Sequence, residues 1–143
     1  MRATHDMARS EPKEFGQLTV ADIMEPDVQC GHPSTTAEVL GSLMIEGFGG
    51  VPIVDEKRKL LGIVTEFDLL AALERANKLG DLKAQEIMTT EVVRVSPQTD
   101  LRTLMYVLQT NHLIRVPVVD QEGTLIGIVA RRDVVRGYLS ATP

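Results

Sequence analysis

The chain has 143 residues, 43% apolar and 24% charged, with 15 Lys and Arg against 20 Asp and Glu. That is room for one compact domain or two half-domains sharing a core, and a net charge of −5 argues against general nucleic-acid binding, which needs a positive face toward phosphate. The single cysteine, Cys30, can form no internal disulfide and fits a reducing, cytoplasmic setting; no apolar run is long enough to span a bilayer, and the first residues lack the apolar stretch of a signal peptide.

Residues 1–16 mix Arg2, Asp6, Arg9, Glu11, Pro12 and Lys13 with small residues and read as a mobile tail. A short helix follows, with Thr19 as its start and Ile23-Met24 as its end, then an extended stretch from Asp27 to Cys30. Thr35 and Glu38 have the spacing of a capping box for an amphipathic helix whose apolar face is Val39, Leu40, Leu43 and Met44. Two β-branched strands, 51–54 and 60–64, flank the polar turn Asp55 to Lys59. A helix starts at Glu66 and ends near Gly80, a glycine suited to a C-cap.

The same order then returns. Asp81 can open a short helix ending at Ile87-Met88, and Glu91 to Val95 is extended. Thr99 can cap a helix with Leu101, Leu104, Met105 and Leu108 inside, strands 116–119 and 125–129 flank the turn Asp120 to Thr124, and a last helix starts at Arg131. A shift of 64 residues lays Ile23-Met24 on Ile87-Met88, Pro33 on Pro97 and Leu40 on Leu104. One residue more, from about position 114, lays Val51-Pro52-Ile53-Val54-Asp55 on Val116-Pro117-Val118-Val119-Asp120, Gly62-Ile63-Val64 on Gly127-Ile128-Val129, and Asp68 on Asp133. Two copies at this period are too few and too long for a stacking solenoid. They predict two α+β halves, 17–78 and 79–143, packed about a pseudo-two-fold axis as one folding unit, because a half of roughly 60 residues is marginal alone.

Chemistry concentrates where a strand runs into a helix. In Gly62-Ile63-Val64-Thr65-Glu66-Phe67-Asp68, the first-turn amides of the helix attract anions, and Asp68 can accept hydrogen bonds from vicinal hydroxyls. Thr65 with Asp68 is equally an N-terminal cap. The second copy, Gly127-Ile128-Val129-Ala130-Arg131-Arg132-Asp133, loses the hydroxyl and keeps the acid, which points beyond capping. Arg115, Arg131 and Arg132 suit phosphate through their planar forks; a solvated helix face accounts for Arg131, Arg132 and Arg136 as well. Gly47-Phe48-Gly49-Gly50 serves either a close ligand approach or a turn after a helix, and no Gly-Lys-Ser/Thr makes it a P-loop. His5, His32 and His112 have no metal-ligand spacing, Cys30 has no nucleophile partners, and the six methionines read as core fillers. No catalytic residue, metal or cofactor is assigned.

The Ile-Met pairs, the Val-Pro-hydrophobic-hydrophobic-Asp strands and the Gly-Ile-Val-x-x-x-Asp segments, each present twice, resemble a pair of CBS domains, or Bateman module, over residues 18–140. The resemblance implies two β-α-β-β-α repeats packed through their small sheets around two clefts, a flat homodimer, and a regulatory rather than catalytic role. The family's ligands are AMP, ADP, ATP or S-adenosyl compounds. By the resemblance one cleft uses Thr65, Phe67, Asp68, Gly50, Val51 and Pro52, with Thr90, Glu91 and Val92 on the adenine side. The other uses Arg115, Val116, Pro117, Arg132 and Asp133, with Arg131 adding charge, and Pro26, Asp27 and Val28 opposite. Ala130 departs from the family's Thr or Ser. The clefts are therefore expected to be unequal, the arginine-bearing one preferring the more phosphorylated ligand, with the output passed to an unidentified partner protein or to oligomer state. The alternative is an interaction module whose clefts stay empty.

Overall fold

The computed structural model describes residues 13–47, 49–75 and 78–141. In chain order they form α1 (Val20–Ile23), α2 (Ala37–Ile45), β1 (Gly50–Val54), β2 (Leu60–Thr65), α3 (Glu66–Arg75), α4 (Ala84–Ile87), α5 (Leu101–Thr110), β3 (Arg115–Val119), β4 (Leu125–Ala130) and α6 (Arg131–Ser140). β1 and β2 form one antiparallel hairpin sheet and β3 and β4 another. Their registers match residue for residue, Gly50 opposite Thr65 and Arg115 opposite Ala130, with an irregularity at Ile53/Val54 and at Val118/Val119. The first strand of each predicted β-α-β-β-α unit is reduced to one parallel bridge, Gly31 to Ile53 and Val95 to Val118. Pro52 and Pro117 fit here because their carbonyls accept from Gly31 and Val95 on this outer edge. The missing N–H therefore faces an irregular edge, not the hairpin ladder.

The caps of α2 and α5 fall one residue past the expected threonines, with one physical cause. Thr35 and Thr99 spend their hydroxyls on turns, accepting from the N–H of His32 at 2.9 Å and of Ser96 at 3.2 Å. The caps pass to the next residue. Thr36 accepts from Val39 N at 3.3 Å and Asp100 from Thr103 N at 2.7 Å, and the Thr103 N–H holds the Asp100 carboxyl below the usual carboxylate range. α4 is capped at Lys83, whose N–H donates to Glu86 at 2.8 Å. Asp81 belongs instead to a 3₁₀ turn, Leu79–Asp81, which also takes up Gly80. α3 is described over Glu66–Arg75, residues 76 and 77 lie outside the described residues, and Gly80 stands in that turn rather than at the helix C-cap.

The cores do not follow chain order. Leu40, Val51, Ile53, Val64, Leu69 and Ala72 form the first, but Ala84 and Ile87 of α4 complete it. Leu101, Leu104, Leu108, Val116, Val118, Val129 and Val134 form the second, and Val20 of α1 completes it. Each short helix thus packs on the other half's sheet. Past it, the chain bridges the strand edge: Thr89 pairs with Ile63, and Glu25 with Ile128. Gly62 and Gly127 permit the crossing, since a Cβ there would stand 2.8 Å from Met88 Sδ and 2.7 Å from Met24 Sδ. The contiguous division 17–78 and 79–143 describes the duplication in sequence, while the packing units exchange these segments.

The mobile-tail expectation for residues 1–12 lies outside the described residues. Residues 13–16 do not extend it: Lys13 pairs with Asp22 at 3.1 Å, Phe15–Gln17 make a 3₁₀ turn, and Phe15 stacks edge-on against Tyr138, centroids 5.4 Å apart. At the far end the hairpin turns join across the pseudo-axis, Leu60 N donating to Gly123 O at 3.0 Å and Leu125 N to Arg58 O at 2.9 Å. The corner residues are equivalent, and both are left-handed: Gly123 at φ 84° and Arg58 at φ 64°. Glycine carries that conformation freely, whereas a side chain there costs about 1–2 kcal/mol. Arg58→Gly should therefore stabilise the protein by about 0.5–1 kcal/mol after the greater chain entropy of glycine is subtracted, read as a higher midpoint in urea; an unchanged or lower midpoint contradicts the corner's strain.

Candidate functional site

Each strand-to-helix junction places one carboxylate with its two oxygens in different service. Asp68 Oδ2 accepts from Thr65 N at 2.8 Å and from the Thr65 hydroxyl at 3.1 Å. Its Oδ1 accepts from the hydroxyl of Thr89, on the crossing segment, at 3.2 Å. Asp133 Oδ2 accepts from Ala130 N at 2.8 Å, and Oδ1 lies 3.1 Å from Arg136 Nη1. The acid's half of the capping box thus survives without a hydroxyl at Ala130. The persistence of Asp133 opposite Ala130 is, by itself, explained by capping. What capping leaves over is the second oxygen, which Asp68 turns to Thr89 of the crossing segment and Asp133 to Arg136 of its own helix.

Beside Asp133 that segment encloses a cavity of about 260 Å³, somewhat smaller than the roughly 300–1,000 Å³ of small-molecule sites. Glu25, Asp27, Val28 and Gln29 form one side. Arg115, Arg132, Asp133, Arg136, Ile128 and Ala130 form the other, with Gly47 and Gly50 at the rim. Glu25 and Asp27 face three guanidinium groups, with Asp133 on the arginine side, so the cavity is balanced in formal charge but divided in space. Glu25 also accepts from Asp27 N at 3.2 Å, which folds the acidic side back on itself.

The structure brings together five of the nine residues expected around Asp133: Arg115, Arg132, Asp133, Asp27 and Val28. Val116 is fully buried and Pro117 is buried in the sheet, so their side chains do not line the cavity. Pro26 lines a neighbouring recess with Arg58, Leu125 and Ile126. Arg131 is placed away from the cleft; it lines a recess between α5 and α6, and its Nε donates to Leu113 O at 2.8 Å. Arg136 takes the place expected of it. Around Asp68, Thr65 is in contact as expected, but Thr89 rather than Thr90 reaches the acid. Thr90 and Glu91 are exposed and Val92 is half-buried, while Val51 and Pro52 are fully buried. Phe67 is 83% exposed. Gly50 lines the Asp133 cavity instead, and Phe48 lies outside the described residues. Sequence reasoning missed Glu25, Gln29 and Arg136. The signals were present: Arg136 stands three residues after Asp133 on one helix, and Glu25 holds the repeat position of Thr89.

Two half-domains of this topology, exchanging their lead-in segments, define a duplicated α+β module with a cleft between the copies beside Asp133. The chain belongs to the CBS-domain family, whose model matches residues 20–75 and 84–140. It is similar to an uncharacterized protein of Methanopyrus kandleri, 34% identical over 129 residues, 87% of this chain and 66% of the relative. It is also similar to homoserine O-acetyltransferase of Methanohalophilus mahii, 32% identical over 117 residues, 81% of this chain and 23% of that protein. The chain thus spans between about a quarter and two thirds of these relatives' lengths. Among solved structures it is similar to CBSX2 of Arabidopsis thaliana in complex with AMP, with TM-score 0.76, 32% identity, and 85% of this chain and 96% of that one covered. The CBS domain pair of protein MJ0100, in complex with 5-methylthioadenosine and S-adenosyl-L-methionine, gives TM-score 0.72, 28% identity and coverage of 82% and 93%. The cytosolic domain of the Mg²⁺ channel MgtE in complex with ATP gives TM-score 0.71, 29% identity and coverage of 84% and 48%.

Proposed function

We propose that the chain is a regulatory module that binds an adenosine-type ligand in the clefts between its repeats and passes the signal to a partner protein or through its own oligomeric state. The observation that carries this reading is the cavity beside Asp133, where the carboxylate oxygen left over from capping, paired with Arg136, stands among the guanidinium groups that line the space. A carboxylate accepts from the paired hydroxyls of a ribose, and guanidinium groups donate to phosphate. The solved complexes of CBS pairs with AMP, ATP and S-adenosyl compounds support the ligand class. Titration calorimetry of the protein with AMP, ATP and S-adenosylmethionine tests it; heat that saturates with at least one of them is expected, and none with any of the three would end the reading. The rival reading is a module whose clefts stay empty. It draws on the Asp133–Arg136 ion pair, which satisfies the acid without a ligand.

A homodimer is part of the proposal. The paired helices of each half leave apolar rows in water: Ile45, Leu70 and Leu73 in the first, Tyr106 and Val135 in the second. Equivalent recesses lie along them, between α2 and α3 and between α5 and α6. A second copy of the chain would cover both rows. Sedimentation should return twice the mass of the 15.7 kDa chain; a monomer at all concentrations contradicts it. No helix among the described residues is long and apolar enough to cross a membrane.

A further inference from the structure

The outer helix pairs of the two repeats match in shape and oppose each other in charge. Glu66 opens α3 at the position where Arg131 opens α6, and Glu38 of α2 stands where α5 has Arg102. All four are exposed. Glu66 heads a row that continues one and two turns on with Leu70 and Leu73, and Arg131 heads the equivalent row of Val135 and Tyr138. Those four apolar side chains are 53–64% exposed. Glu38 and Glu66 line the recess between α2 and α3, with Lys78 as the cation there. Arg131 and His112 line the recess between α5 and α6, which holds no acid. Each half thus edges an apolar row with charge, acidic on balance in the first repeat and basic in the second.

Local structure does not account for Arg131. The N-terminus of a helix is the positive end of its dipole, so an acid such as Glu66 is well placed there and a cation is not. Arg131 does not serve the ligand cleft either. Its Nε donates to Leu113 O at 2.8 Å, which holds it in the recess between α5 and α6. That bond uses one N–H of the five on a guanidinium and fixes the stem. The ion pairs among the described residues are Lys13–Asp22 and Asp133–Arg136, so Arg131 enters none. A cation set against its own helix dipole, fastened at Nε beside an apolar row in water, is suited to an acceptor that another molecule brings. Glu66 is such an acceptor, in the same setting on the equivalent helix.

We propose that two copies of the chain pair head to tail, the α2–α3 face of each covering the α5–α6 face of the other, with Glu66 set against the partner's Arg131 at both contacts. This rests on the proposed homodimer and fixes its orientation. A two-fold contact makes every pairing twice. Head to tail, both pairings of these residues are attractive. Head to head, Glu66 meets the partner's Glu66 and Arg131 meets the partner's Arg131, and like charges brought together across an interface oppose association. The apolar rows choose neither arrangement, because both faces carry one. Head-to-tail pairing also makes the two ends of the dimer identical, each composed of one first repeat and one second repeat.

Sedimentation equilibrium gives the dimer dissociation constant of the parent, of Glu66→Arg, of Arg131→Glu and of the two changes together, and thermal melts establish that each is folded. Each single change sets like charges against each other at both contacts and should weaken the dimer about tenfold. The exchange of both restores opposite charges and should bring the constant back to within about threefold of the parent. In a head-to-head dimer Glu66→Arg trades one like pair for another, so unchanged constants in both folded single variants overturn the proposal. Orientation is read directly with a short bis-maleimide cross-linker on Cys30→Ser chains, which lack the one native thiol. Ile45→Cys, on a residue 90% exposed, should link to Gln109→Cys, its equivalent in the second repeat, once the two variants are mixed and allowed to exchange subunits, and neither should link to itself. A link of Ile45→Cys to itself overturns the proposal while the homodimer stands, and so does a dimer that links in neither way. A monomer at all concentrations removes the homodimer and the proposal together.

Discussion

Asp133→Ala should lose adenosine-ligand binding at the second cleft by about a hundredfold or more, and Asp68→Ala should do the same at the first. The magnitude follows from two hydroxyl hydrogen bonds to an ionised acceptor at about 1.5 kcal/mol or more each, with tenfold for every 1.4 kcal/mol. The same variants also remove a helix cap, because Oδ2 of each acid accepts from the backbone of residue 65 or 130 at 2.8 Å; that costs about 0.5–2 kcal/mol of stability. The two effects separate with Asn, whose side-chain oxygen still accepts from the backbone but carries no charge. Asp133→Asn should recover most of the stability and little of the affinity. Calorimetry gives the stoichiometry for each variant, and urea titration gives the stability. Unchanged affinity and stoichiometry in both Ala variants would leave the acids with capping as their sole task.

Gly62→Ala should destabilise the protein by about 1–3 kcal/mol, the range for forcing a methyl group into a packed site. The new Cβ would stand 2.8 Å from Met88 Sδ and 2.8 Å from the backbone oxygen of Thr89. The methionine can swing away, but the carbonyl cannot, since it accepts from Ile63 N at 2.9 Å in the bridge that fastens the crossing segment. Gly127→Ala should cost less. There the Met24 sulfur is at 2.7 Å, but the carbonyl of Glu25 is at 3.1 Å, so side-chain relief goes further. Denaturation midpoints for the two variants should keep that order. Parental stability in Gly62→Ala would mean that the segment does not lie over the strand as described.

The repeat was open to reading because its marks are local. A β-branched run before a polar turn, or an apolar face at helical spacing, needs no knowledge of the partner element, and the strands and the starts of the main helices sit within a residue or two of where periodicity puts them. The caps slipped for a reason that no spacing carries: Thr35 and Thr36 both have a hydroxyl, and the turn at His32 decides which one is free. The exchange of α1 and α4 was hidden for a related reason. An apolar stripe such as Val20 with Ile23 says that a face is buried, not whose sheet buries it. At the site, acids and arginines were visible as residue types, but orientation was not. Arg131 and Arg132 are neighbours in sequence and one residue of helix turns them to different recesses. Thr89 and Thr90 pose the same difficulty on an irregular segment, where only the pairing with Ile63 fixes which hydroxyl meets Asp68.

The crossing segments act as two straps of fixed span. One is anchored in the second core at Val20, fastened to β4 at Glu25 and tied to β1 at Gly31; the other runs oppositely, from Ala84 through Thr89 to Val95 on β3. A rocking of one sheet against the other must stretch or slacken both at once. Cleft width is thereby a shared quantity, and whatever narrows one gap loads the tether that walls the other.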